Sequence, residues 1–177
     1  MKSIEENLTQ YAAYHRDRRN IATHFAGIPM IVFAIVLALA TVTIPAGSIA
    51  VSLSAVTSVA ACIYYFRLDT GFGLAMAVVL FVLCAAASEI TARATTGEAL
   101  AGAAAIFAAG WALLFWGHKF EGMKPAFFDD AMQLIIGPLF VLAEVYFIFG
   151  ARAQLRRYIE DRVGPTVARR NHPAAMQ

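Results

Sequence analysis

Apolar residues run along this chain in long blocks, and polar residues gather at the block ends. Five blocks stand out: Phe25–Ile44, Ser48–Phe66, Phe72–Ile90, Leu100–Gly117 and Ala131–Gly150. A hydrocarbon core of about 30 Å needs roughly 20 helical residues to cross it, and each block is that long or nearly so. The amphipathic stripe expected of a soluble helix is missing from them. Pro45-Ala46-Gly47 and Arg67-Leu68-Asp69-Thr70-Gly71 are short turn segments, so successive spans should form antiparallel hairpins. Small residues crowd Ala85–Ser88, Ala101–Ala105 and Ala108–Gly110, where they let helix backbones approach closely in lipid. The pattern predicts an all-α fold, a polytopic transmembrane bundle forming a single membrane-embedded domain over residues 1–177.

Ahead of the first block the pattern changes. Ser3-Ile4-Glu5-Glu6 has the form of a capping box, which predicts a helix from Ile4. On that helix Ile4, Leu8, Tyr11, Ala12 and His15 share a face, with Glu5, Glu6, Arg16 and Asp17 elsewhere. Residues 3–24 therefore read as an amphipathic segment lying on the membrane surface or on the other helices. His15 and His24 are nine residues apart, which on one continuous helix means opposite faces and about 13 Å of rise. They meet only if the chain bends. Asn20 and Gly27-Ile28-Pro29 are the candidate breaks, since a residue before proline avoids the helical region. Residues 25–150 hold the membrane segments, and 151–177 form a basic, partly disordered tail.

Composition sharpens this reading. The chain is 60% apolar and 15% charged, with mean hydropathy +0.64, whereas a soluble domain carries about a quarter charged residues. Cys62 and Cys84 lie in separate apolar blocks, which fits buried thiols and no disulfide framework. Net charge is +2, and no nucleic-acid partner is expected. The 14 Lys and Arg residues bear on topology. Five crossings would divide them evenly between the two sides, against the expected cytoplasmic excess. If the fifth block instead breaks at Gly137-Pro138 and returns, only Arg93 lies outside. The expected topology is therefore four crossings plus a re-entrant or kinked fifth segment, with both termini in the cytoplasm. The membrane would be a bacterial inner membrane, or the endoplasmic reticulum in a eukaryote.

His172 lies in the tail, but His15, His24 and His118 all fall at block boundaries on the same, cytoplasmic side. Imidazole suits divalent iron, zinc and copper. Glu121 follows His118 at i, i+3 and shares its helix face. Glu144 lies inside the fifth block with no basic neighbour in sequence, and an acidic residue at such depth is a functional candidate. Taken singly, a boundary histidine fits the headgroup level equally well, and Arg16, Arg18 and Arg19 fit as topology determinants. Together the three histidines and Glu121 point to a shared metal. A metal-dependent membrane lipid hydrolase or hydroxylase would use the same histidines. A small transporter or metal carrier would need polar residues spread through the membrane depth, and the spans between Ile49 and Phe115 carry few.

At these residues the chain resembles the Mpo1-like family. The resemblance runs through Tyr11-x3-His15-x4-Asn20-x3-His24-x2-Gly27-Ile28-Pro29, then Gly117-His118-x2-Glu121-x3-Pro125-Ala126, then Pro138-x-Phe140-x3-Glu144. It departs at Leu114, where the family carries glutamine. The resemblance implies an Fe(II)-dependent dioxygenase of fatty acid α-oxidation. Its substrates would be a 2-hydroxy fatty acid and O2, its product the acid one carbon shorter, and its other partner membrane lipid. His15, His24 and His118 are then the implied metal ligands. Glu121 serves as a fourth ligand or as an orienting carboxylate beside them. Asn20 becomes an orienting group, Arg19 a partner for the substrate carboxylate, and Glu144 a further candidate for the catalytic site.

Overall fold

A computed structural model describes residues 2–123, 125, 130 and 132–167. Seven helices and one β-hairpin account for their regular structure. They fall into two compact units, one comprising the residues up to Ile28 and from Trp111 onward, the other Pro29–Gly110.

In the first unit, α1 (Ile4–Ala12) starts where the capping box predicts. Glu6 N donates to Ser3 Oγ at 3.2 Å and Ser3 N donates to Glu6 Oε2 at 2.8 Å. Its face of Ile4, Leu8, Tyr11 and Ala12 is buried, and α1 packs on α6 (Gln133–Ile148) and α7 (Ala153–Val163). α2 (Arg18–Ala40) begins after a short link at residues 13–17. The bend between His15 and His24 is this link, so it is neither Asn20 nor Gly27-Ile28-Pro29. Helix α2 continues through Pro29, which forgoes only the hydrogen bond that its missing N–H would have made to Phe25.

The fifth apolar block differs in the same way. Helix α6 runs through Gly137 and Pro138 without breaking. Gly137 serves close packing instead, since a Cβ there would lie 3.3 Å from the Tyr11 hydroxyl. The break comes later, at Gly150 and Arg152, whose φ values of 74° and 57° are left-handed. There α6 and α7 meet at a bend of 112°. The first part of the basic tail is therefore helical, and Arg156 and Glu160 pair across one turn of it at 2.8 Å. His172 lies outside the described residues.

In the second unit the predicted turn segment Pro45–Gly47 lies in a β-hairpin that the helical reading did not anticipate, with Pro45 and Ala46 in its first strand. β1 (Thr43–Ala46) and β2 (Ile49–Ser52) pair antiparallel, with Thr43 opposite Ser52 and Ala46 opposite Ile49. β-Branched Thr43, Ile44, Ile49 and Val51 favour extended backbone. Gly47, at φ 66°, opens the two-residue loop as a type II′ turn requires. β2 consumes the start of the second apolar block, so α3 (Leu53–Leu68) has only 16 residues. Asp69 alone separates it from α4 (Thr70–Arg93), capping that helix by accepting from Phe72 N at 2.9 Å. Val36, Leu37, Ala40, Ala87, Ala99 and Ala103 form the core. Cys62 and Cys84 are free and half-buried, and so less enclosed than expected.

Three helices, α2, α4 and α5 (Thr96–Glu121), are long and apolar enough to cross a membrane. The bent α6–α7 pair makes a fourth if it counts as one span. Leu74, Val78, Phe81 and Val82 of α4 are all more than half exposed, a density of bare apolar side chains that suits lipid and not water. These helices mark a membrane protein.

Gly73 sets the α3–α4 approach, because a Cβ there would lie 2.8 Å from Phe66 Cα. Gly73→Val should therefore destabilise the protein by about 1–3 kcal/mol through overpacking, read as a lower thermal midpoint in detergent.

Candidate metal centre

His15 sits in the link, where its backbone N–H donates to Ala12 O at 3.0 Å and continues the last turn of α1. Its Nδ1 lies 2.7 Å from Tyr11 O, and His24 Nδ1 lies 2.8 Å from Asn20 O, each contact reaching back four residues. A carbonyl oxygen can only accept, so both Nδ1 atoms carry the proton and both Nε2 atoms are left as bare lone pairs. Those two Nε2 atoms face each other at 3.0 Å. With no proton between them the contact is not a hydrogen bond, and the two lone pairs repel. Burial, reinforced by nearby His24, holds the His15 imidazole well below its ordinary pKa, so it is neutral at pH 7.

His118 completes the group from the last turns of α5. Its ring centroid is 4.9 Å from that of His15 and 5.2 Å from that of His24, and the nitrogens the three can offer lie within 4.8 Å of one another. All three rings are buried. A cation accepting lone pairs from the three rings would relieve the repulsion between the facing Nε2 atoms. The three histidines thus form a group that fits a metal, and neutral imidazole suits a divalent transition ion. Tyr11 stacks on His15 at 4.2 Å, Phe140 of α6 lies 5.5 Å from the same ring, and together they shield the group from water.

The approach of α5 to α2 depends on Gly117, where a Cβ would fall on Thr23 Oγ1 and Asn20 Oδ1. One turn beyond His118, buried Glu121 closes the arrangement. Its carboxylate accepts from Arg16 N at 3.1 Å, Asp17 N at 2.8 Å and Asn20 Nδ2 at 3.2 Å. Asp17 N is one of the backbone N–H groups that the start of α2 leaves without a helical partner, Arg16 N belongs to the link, and Asn20 contributes its side-chain amide. The link is tied from the other side as well. Val167 N donates to Arg16 O at 2.9 Å, and Arg18 N donates to Val167 O at 3.1 Å.

Of the residues singled out in the sequence, His15, His24 and His118 come together, with Asn20 and Glu121 against the link beside them. Arg19 is engaged elsewhere. It forms a fork with Asp17 at 2.8 and 3.1 Å and lies over the Phe120 ring. Glu144, which has no basic neighbour in sequence, meets Arg16 at 4.0 Å. Arg16 and Asp17, both buried, are the site residues that sequence reasoning passed over. Within the run Arg16-Asp17-Arg18-Arg19, nothing in the spacing separates buried charges from exposed ones. Leu114 is simply buried.

The family described as 2-hydroxy-palmitic acid dioxygenase Mpo1-like matches residues 1–149, a span that contains every histidine of the cluster. The chain belongs to the Mpo1-like family. Within it, the chain is similar to the 2-hydroxy-palmitic acid dioxygenase MPO1 of Saccharomyces cerevisiae. The two are 31% identical over 159 residues, covering 89% of this chain and 87% of the yeast protein. No solved structure matches the chain significantly. The Mpo1-like match ends at residue 149, so the tail contact through Val167 lies beyond it.

His15→Ala, His24→Ala and His118→Ala should each strip metal from the purified protein while the chain still inserts, as read by elemental analysis. Full retention in any two of them would contradict the cluster. Gly117→Ala should cost about 1–3 kcal/mol and also weaken metal retention, because the new methyl displaces Thr23 or Asn20.

Proposed function

We propose that this chain is an Fe(II)-dependent dioxygenase of fatty acid α-oxidation, acting on a 2-hydroxy fatty acid to give the acid one carbon shorter. The observation that carries the reading is the pair of bare Nε2 atoms facing each other at 3.0 Å, with a third buried imidazole beside them. Membership of the Mpo1-like family, and the activity for which the yeast relative is named, support the substrate class.

In this reading His15, His24 and His118 hold the iron. Ferrous iron there would supply the redox chemistry with O2. Three neutral donors add no negative charge, which leaves the site receptive to an anionic substrate. The Tyr11 and Asn20 carbonyls fix the tautomer and aim of two of the rings, the part that outer partners play in metal sites. Glu121 acts as a positioning residue. Its carboxylate is taken up by the N–H groups of Arg16, Asp17 and Asn20, so it orients the link that carries His15 without joining the ligand set. Tyr11 and Phe140 keep bulk water from the reacting atoms. The cluster and both termini belong on the cytoplasmic side. Cysteine labelling at Lys2 and Gln177 should give the same accessibility pattern from either side of the membrane.

Incubated with Fe(II), O2 and 2-hydroxypalmitate, the protein should release the fifteen-carbon acid, and palmitate should not react. Under an oxygen-18 atmosphere the shortened acid should carry label. Product oxygen derived only from water, or no product from hydroxy acids of any length, would sink the reading. Glu121→Gln should lower metal affinity about 10–100-fold if the residue positions His15, as loss of an outer partner does.

A further inference from the structure

A cleft of about 310 Å³ lies in the elbow between α6 and α7, against the first turns of α2. It adjoins the histidine cluster through the chain on two sides. Arg16, which lines it, follows His15. Glu144, which also lines it, lies one turn from Phe140, the residue in contact with the His15 ring. On α2 the lining residues Arg18, Ile21, Ala22 and Phe25 follow i, i+3, i+4 and i+7, so they form a single stripe. That stripe runs about 10 Å from a cation at Arg18 to a ring at Phe25. From α6, Phe147 and Ile148 add to the apolar wall.

The charges in this cleft do not balance. Arg16 faces Glu144 at 4.0 Å, and Arg156 pairs with Glu160 at 2.8 Å. Exposed Arg18 also lines the cleft and has no ion pair among the described residues. Three arginines against two glutamates leave one positive charge at one end of an apolar wall. The complementary ligand carries one negative charge on a hydrocarbon chain. The volume is at the low end of small-molecule sites, about 300–1,000 Å³, which suits a head and the first part of a chain.

We propose that this cleft binds a single-chain fatty carboxylate, its head on Arg18 and its chain along Ile21, Phe25 and Phe147. This places the carboxylate partner at Arg18, because Arg19 is held in its fork with Asp17. The identification of the bound acid as the enzyme's substrate rests on the dioxygenase reading, whereas recognition of carboxylate and chain does not.

The test is equilibrium binding of radiolabelled palmitate to iron-free full-length protein in phosphatidylcholine nanodiscs, with empty nanodiscs subtracted. Arg18→Gln should weaken palmitate binding roughly tenfold or more, the scale of a lost hydrogen bond to a charged group, and leave binding of uncharged methyl palmitate unchanged. Ala22→Phe, which fills the cleft from an exposed position, should weaken both ligands. Unchanged palmitate affinity in Arg18→Gln overturns the proposal, as does equal loss of the methyl ester. So does displacement of palmitate by phosphatidylglycerol at equal mole fraction, which would make the cleft a headgroup site. Arg18-dependent palmitate binding without turnover of hydroxy acids of any length would sink the dioxygenase reading and leave the cleft assignment standing.

Discussion

The carboxylate of Glu121 holds the end of α5 to the link between α1 and α2. A buried carboxylate is costly unless several donors meet it, and here the donors are the backbone N–H groups of Arg16 and Asp17 and the side-chain amide of Asn20. One charge thus satisfies three donors at once, through charge-assisted bonds of the stronger kind. The bend it stabilises turns His15 back toward His24. Straight helix through the link would put the two rings on opposite faces, and no metal could reach both.

The rest of the link is secured in the same manner. Arg16, itself buried, donates to Ala12 O, His15 O and Gly164 O. Val167 adds two backbone hydrogen bonds to the residues flanking Asp17. Polar groups of this density are tolerable in a membrane protein only when each one finds a partner. The exceptions therefore carry information. His15 and His24 present bare nitrogens to each other. The facing nitrogens of His15 and His24 are the open valences that a metal would take up.

The second unit solves a different problem with different residues. Lipid gives helices no hydrophobic reason to associate, so close contact must come from small side chains. Ala40, Ala87, Ala99 and Ala103 supply it in the core, and Gly73 supplies it where α4 passes Phe66. Polar chemistry is sparse there.

Local patterns made much of this legible in advance. The capping box at Ser3–Glu6 set the start of α1, the apolar blocks marked the long helices, and the histidine spacings carried the family and the three candidate ligands. Each is a relation among residues close in sequence, governed by helical period or by hydropathy. The hairpin at Thr43–Ser52 and the helix-continuing prolines Pro29 and Pro138 were less legible, because a proline can either break a helix or cost it one bond, and packing decides which. Pairings across the chain were not legible at all. Arg16 meets Glu144, and Glu121 meets the N–H groups of Arg16 and Asp17 more than a hundred residues away. The sequence by itself determined which segments are apolar helix and which side chains could bind a metal. Tertiary structure alone decided which nitrogens face each other and which charges are paired, because those depend on contacts between segments that no local period encodes.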